Sequence, residues 1–405
     1  MLSKETARDI INLNPYGSID SEIANRQFEV IRTGFNFLHH PDNDFLYIAD
    51  EVGLGKTYVA LGIASLLRHF CTENRRSIYK DVVVVPKRNL QYKWVKEANN
   101  FITHNYLIEC NIVKSVLGST VGDCTDENIH HCLELFNPDN PSYEFFRNSS
   151  FSIATTVDIK WEKDLELRVQ EGELRKCFKD ARKIYRKDAD KIYLKRLFAY
   201  LLNIMIPEID LLIVDEAHHY KHGIEGDVSY RNQVMSRLMG VVQEEDKNKI
   251  FIHFPFLESL INKKVKKIIF LSATPIDNGL YELKNQLDCF LPNHKYSDSQ
   301  NVNEDIKAGL SSFMIRGLMN IRLENEEAND GLVSRNMYRH EHRKGNVKKL
   351  KDAQPQYIKD DLESLIIGLM QFKTLQKLNE SNNKSFEIGM LAGFETFDTK
   401  PSSDK

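Results

Sequence analysis

A lysine and a threonine placed directly after a glycine-rich turn can hold a phosphate chain and its metal ion. Residues 48–60 read IADEVGLGKTYVA. The spacing nearly meets G-x-x-x-x-G-K-[ST], but Asp50 stands where the first glycine belongs. Gly53 and Gly55 can take positive φ, so the backbone N–H groups of a Gly53-Leu54-Gly55 turn can crowd around a phosphate. Lys56 would then reach the β- and γ-phosphates, and the Thr57 hydroxyl would ligate Mg²⁺. The bland alternative is a strand–turn–helix with a surface lysine.

Such a loop needs an acidic partner for the cation. Residues 209–222, IDLLIVDEAHHYKH, supply one in Asp215, followed at once by Glu216. Asp215 would hold Mg²⁺ directly or through water, and Glu216 would accept a proton from an attacking water. A third segment, KKIIFLSATPIDN, ends in small hydroxyl-bearing residues. Ser272 and Thr274 could hydrogen-bond near a γ-phosphate and sense its loss. Pro275 disfavours helix at Thr274. Each of the last two segments alone also fits an ordinary polar turn.

The elements that must position these residues are legible around them. Residues 45–49 (FLYIA), 82–85 (VVVV), 211–214 (LLIV) and 268–271 (IIFL) are short apolar runs of the kind buried on both faces of a parallel sheet. After the glycines, YVALGIASLLRHF carries apolar residues at helical spacing. A helix starting near Lys56 would aim its N-terminal N–H groups and dipole at the phosphates. The expected fold is α/β, a parallel sheet with helices on both faces and nucleotide at its C-terminal edge.

Composition bounds the class of partner. The chain has 405 residues, 41% hydrophobic and 28% charged, enough apolar content for a normal core. Its net charge of -3 gives no global basic signal, so a nucleic-acid contact must rest on a local patch. The six cysteines form no C-x-x-C pair and read as free thiols in a reducing compartment. No complementary Cys/His set joins His218, His219 and His222 to argue for zinc. No apolar stretch reaches the length of a membrane span, and no leader-like segment opens the chain. A cytoplasmic or nucleoid location with no membrane partner is expected.

DEVGLGKT, DEAHH and SATP, in this order and each after a strand, resemble motifs I, II and III of superfamily 2 helicases and translocases. The acidic residues ahead of the glycines resemble the Swi/Snf-type DNA translocases, and the wording is most similar to their bacterial RapA-like branch. The resemblance implies a RecA-like P-loop lobe over residues 1–317 that uses ATP and Mg²⁺. It implies Lys56, Asp215 and Glu216 as catalytic residues. It implies a glutamine upstream that reads the adenine edge, and Gln27 in ANRQFEVIRTGF matches it by position. PKRNLQYKWVKE resembles motif Ia, where Lys87 and Arg88, with Lys93 beside Trp94, would meet DNA phosphates. FSIATTVDIKW resembles motif Ib, where Thr155 and Thr156 would donate to a phosphate.

The chain departs from the family pattern in two places. Residues 162–202, rich in Lys, Arg and Glu with leucines at helical spacing, read as a helical insert on the lobe surface. Its basic run, from Arg175 to Lys187 along the chain, reads first as a solvated face and second as a DNA contact. Residues 318–405 read as a bridge toward a second lobe, with a helix over 359–378. No Q-x-x-G-R-x-x-R motif appears. The expectation is one lobe of a longer enzyme, or a lobe completed by another chain. The implied function is the ATP-binding lobe of a DNA-dependent ATPase that moves on duplex DNA. Its rivals are a strand-separating helicase or RNA translocase, and a regulatory protein that binds ATP without turnover. The presence of Lys56, Thr57, Asp215 and Glu216 together speaks against the last.

Overall fold

The computed structural model describes residues 1–17, 19, 21–50, 53–73, 79–114, 142–151, 172–185, 191–225, 230–276 and 278–315, together with three short strands between 319 and 357. Six strands form one sheet: β1 (Phe45–Ile48), β2 (Lys80–Val85), β3 (Ser142–Arg147), β4 (Ile209–Asp215), β5 (Val265–Leu271) and β6 (Met314–Ile315). Their order is β3-β2-β4-β5-β1-β6, and every pairing is parallel. The four apolar runs of the sequence are β1, β2, β4 and β5. They form the contiguous centre of the sheet, where both faces are covered and alternation disappears.

Successive side chains still point to opposite faces, and each face has its own core. Leu46, Ile48, Val83, Val85, Ile213 and Ile269 meet helices α1 (Lys4–Ile10), α2 (Ser21–His39), α3 (Lys56–Glu73) and α4 (Arg88–Asn100). Phe45, Tyr47, Val82, Val84, Val214 and Phe270 meet α5 (Gly172–Ile184), α6 (Lys191–Met205), α7 (Tyr230–Leu238), α8 (Tyr281–Asp288) and α9 (Val302–Phe313). The expected α/β fold with helices on both faces is what the chain adopts.

Helix α3 is buried without interruption from Val59 to Arg68, as suits a helix lying between the sheet and other helices. Arg68 is tolerated there because Asp81 of β2 accepts from its Nε at 2.5 Å. α2 crosses α3 closely at Gly62, where an added Cβ would lie 2.3 Å from Ile31 Cδ1. This contact fixes α2, and with it Gln27, against the start of α3.

The helical insert is corrected in its second half. α6 is not a surface helix: Leu194, Leu197, Phe198, Tyr200, Leu201 and Leu202 are buried in the core of one sheet face. Its charged Arg196 is buried too, held by Gln233, Glu245 and Asp246. α5 is the outer helix, with Lys176 and Lys183 exposed and Cys177 and Ala181 turned inward. Residues 162–171 lie outside the described residues.

Beyond β5, the chain returns through α8 and α9 to β6, which pairs with β1 and brings residues 314–315 into the sheet. Three further strands, β7 (Met319–Arg322), β8 (Leu332–Ser334) and β9 (Pro355–Tyr357), form a small antiparallel sheet in the stretch read as a bridge. The helix expected over 359–378 lies outside the described residues. Among the described residues, no helix is long and apolar enough to cross a membrane.

Candidate nucleotide site and the adjoining rim

Because β5 separates β1 from β4, the C-terminal ends of three strands stand side by side, each delivering one of the three motifs. That edge is where ligands bind in open α/β sheets. From β1 the chain enters the loop, where Gly53 and Gly55 have φ of 92° and 80°. An L-residue is strained in this region. α3 then begins at Lys56.

Gln27 and Asp50 shape the loop. Gln27 is buried and its Nε2 donates to the Leu54 carbonyl at 2.9 Å. The same amide sits where a Cβ on Gly55 would fall, 2.1 Å away. Asp50, in the place of the usual glycine, is fully buried and grips Arg26 of α2 in a forked contact of 3.0 and 3.3 Å. Its carbonyl accepts from Lys56 Nζ at 2.8 Å. The acidic residue thus ties α2 to the loop, and its backbone holds the lysine over it. Arg26 was not singled out from the sequence, although a buried carboxylate in a phosphate loop calls for a cation beside it.

From β4 come the two carboxylates. Asp215 Oδ2 accepts from the Trp94 indole N–H at 2.8 Å, and its Oδ1 accepts from the Glu216 backbone N–H at 3.0 Å. Burial raises Asp215 to about 6, with the Glu216 charge adding, while the indole and Lys56 oppose the shift. Glu216 has φ of 52°, one of two non-glycine residues with positive φ among the described residues. Such strain persists where the surroundings over-determine it, which is common at functional sites. Burial pushes Glu216 up, but the hydrogen bond and charge of His218, with Lys56 and His219, bring it below the ordinary carboxylate value. Lys56 is therefore felt by both carboxylates.

From β5 comes Ser272, fully buried. His218 Nδ1 lies 2.9 Å from Ser272 Oγ and 3.3 Å from Glu216 Oε2. The Thr274 backbone N–H donates to the same hydroxyl at 3.2 Å. The serine is a joint between the second and third motifs, its hydroxyl engaged inside the protein. His219 is lowered to about 4 by burial and by the charges of His218 and Arg231.

These parts suit a nucleoside triphosphate with Mg²⁺. The donor set for the cation, the Thr57 hydroxyl and the Asp215 carboxylate, is hard oxygen. A Cβ on Gly55 would meet the Gln27 amide, and the helix N-terminus favours an anion. Lys87 and Arg88 are exposed at the turn into α4, beside this edge, and the Lys87 charge reaches His219. Arg88 donates to Tyr92 Oη at 3.0 Å from Nη2. Thr155 and Thr156 lie outside the described residues. Trp94 carries more than the sequence disclosed: it reads there as a core residue beside the basic turn, and its indole reaches a motif 121 positions away.

A six-stranded parallel sheet with these three motifs on adjacent strand ends defines a RecA-like, helicase-type ATPase domain. A family model described as "Type III restriction enzyme, res subunit" matches residues 20–277, and the chain belongs to that family. No curated protein shows significant similarity to it. Among solved structures it is similar to a nuclease-deletion mutant of the Type ISP restriction-modification enzyme LlaGI in complex with a DNA substrate mimic. That pair is 15% identical, with a TM-score of 0.30, covering 62% of this chain and 17% of that one. It is also similar to the Sulfolobus solfataricus SWI2/SNF2 ATPase core in complex with dsDNA, at 16% identity and TM-score 0.35, covering 79% and 48%. The corresponding core domain alone gives 13% identity and TM-score 0.34, covering 90% and 58%. The chain thus spans less than two thirds of each of these structures.

Proposed function

We propose that this lobe binds ATP with Mg²⁺ and is one half of an ATP-hydrolysing motor that tracks duplex DNA. The observation that carries the reading is the convergence of Lys56, Asp215, Glu216 and the Ser272–His218 joint on three adjacent strand ends. In this reading Thr57 and Asp215 hold Mg²⁺, which neutralises charge on the β- and γ-phosphate oxygens when bound. Lys56 leaves the Asp50 carbonyl for the phosphates. Glu216, kept ionised by His218 and Lys56, accepts a proton from water as the water oxygen bonds to the γ-phosphorus and the bond to the β-phosphate oxygen breaks. Gln27 exchanges the Leu54 carbonyl for the adenine edge. Arginines from a second RecA-like lobe complete the site.

DNA as the partner is supported by the exposed Lys87 and Arg88 beside the site, and by a family described by a restriction enzyme subunit. The DEVGLGKT and DEAHH wording supports placement near the Swi/Snf-type, RapA-like branch. Function in the cytoplasm or nucleoid accords with that reading. In the enzyme assembled with its second lobe, Glu216→Gln is expected to bind ATP at the parent affinity and to lose hydrolysis, because an amide cannot take the proton. Phosphate release measured beside nucleotide binding tests it. Turnover at the parent rate would remove Glu216 from the role of base.

A further inference from the structure

We infer that α4 physically links the DNA rim to the metal carboxylate, with Trp94 as the positioning residue that makes the link. The inference rests on the proposed function and adds a route by which DNA and nucleotide feel one another. α4 begins at Arg88, immediately after Lys87, so its first turn carries the exposed cations of the rim. Six residues on, about 9 Å along the axis, Trp94 is buried in the core and donates to Asp215 Oδ2 at 2.8 Å. At the far end of the helix its C-cap residue, Phe101, packs edge-on against the Tyr58 ring, with centroids 5.7 Å apart. Tyr58 directly follows Thr57 in the first turn of α3. The helix and its cap therefore touch both elements that carry the cation's proposed ligands, by a hydrogen bond at Asp215 and by a ring contact at Tyr58.

The Asp215 carboxylate is held at each oxygen by a different element. The Glu216 backbone holds Oδ1, and α4 holds Oδ2. A rigid displacement of α4 along its axis moves the indole and turns the carboxylate about its Oδ1 contact. α4 is also seated on the sheet by Gln91 Nε2, which donates to the Phe145 carbonyl at 2.6 Å. A phosphate drawn to Lys87 and Arg88 thus pulls on the same rigid body that orients Asp215. Partners of this kind, one bond removed from a metal, tune affinity by about 10- to 100-fold.

The test is a coupling measurement on the full chain, with ADP as the nucleotide and a short duplex as the DNA. ADP affinity is measured with and without Mg²⁺, and with and without the duplex, alongside duplex affinity and thermal melting. For the parent, the duplex is expected to change Mg²⁺·ADP affinity by about fivefold or more. Trp94→Phe keeps the aromatic bulk and removes the N–H. It is expected to raise the Mg²⁺ concentration needed for tight ADP binding by about tenfold. It should abolish the duplex effect while Mg²⁺-free ADP affinity and duplex affinity stay at parent values, which a merely structural role would not produce. Tyr58→Leu, which removes the ring that meets Phe101 at a half-buried site, is expected to weaken the duplex effect and guards against a Trp94 variant that melts early. A parent with Mg²⁺-dependent ADP binding whose duplex effect survives in both variants overturns the link alone. A parent without Mg²⁺-dependent ADP binding overturns the proposed site and the link with it.

Discussion

At the scale of single residues, the site is built from side chains that would be costly elsewhere. Asp50 is a buried carboxylate in the glycine-rich loop, stabilised by the Arg26 fork. Glu216 sits in a backbone conformation unusual for its type, fixed between Asp215 and the 3₁₀ turn Ala217–Tyr220. Gly55 has little latitude: its φ is 80° and the Gln27 amide occupies the place of its missing Cβ. Gly55→Ala is expected to destabilise the folded chain by about 1–3 kcal/mol, from backbone strain and displacement of that amide. Urea unfolding of parent and variant measures it, with weaker nucleotide binding in the same protein. A variant as stable as the parent would mean that the loop relaxes to negative φ at no cost.

At the scale of elements, the rim of the sheet brings the three motif loops and the exposed Lys87–Arg88 turn within reach of each other. Lys87 and Arg88 follow β2, the neighbour of β4, so the turn they occupy adjoins the one that holds Glu216 and His219. With a net charge of -3, DNA affinity must come from such a local face. About three phosphate contacts would give a slope of log K on log salt near −3, at about −0.9 per contact. Replacing Lys87 and Arg88 together with Ala is expected to flatten the slope by about 1.8. Fluorescence anisotropy on one duplex at several salt concentrations reads it. An unchanged slope would move the DNA path away from this turn, with the basic run near Lys176 and Lys183 as the next candidate. The strands that build the rim are legible because β1, β2, β4 and β5 each hold a buried run of four apolar residues, covered on both faces. β6 escaped notice because two residues are too few to show a pattern. α6 was misplaced because a dense run of Lys and Arg just before it set the reading of the whole insert, while its own residues KIYLKRLFAYLLNIM are core-like. The Trp94–Asp215 and Arg26–Asp50 bonds were hidden because a contact between distant positions leaves no local periodicity.

At the scale of the whole molecule, the described residues form one RecA-like lobe whose chemistry is gathered on a single sheet edge, with a small antiparallel sheet drawn from the stretch that follows it. The three motifs disclose the lobe's class in the sequence itself, since each is a short chemical pattern tied to the end of its own strand. Their mutual wiring through His218, Ser272, Trp94 and Arg26 became visible only in three dimensions. The central claim is that this edge is an ATP site, and Lys56 is the residue on which it turns most simply. Isothermal calorimetry with Mg²⁺·ATP on the parent chain and on Lys56→Ala tests it directly. The account predicts measurable binding by the parent and a loss of about tenfold or more in the variant, the equivalent of a charge-assisted hydrogen bond of about 1.5–3 kcal/mol. Equal affinity in the two proteins, or a parent that leaves millimolar ATP unbound, would contradict it.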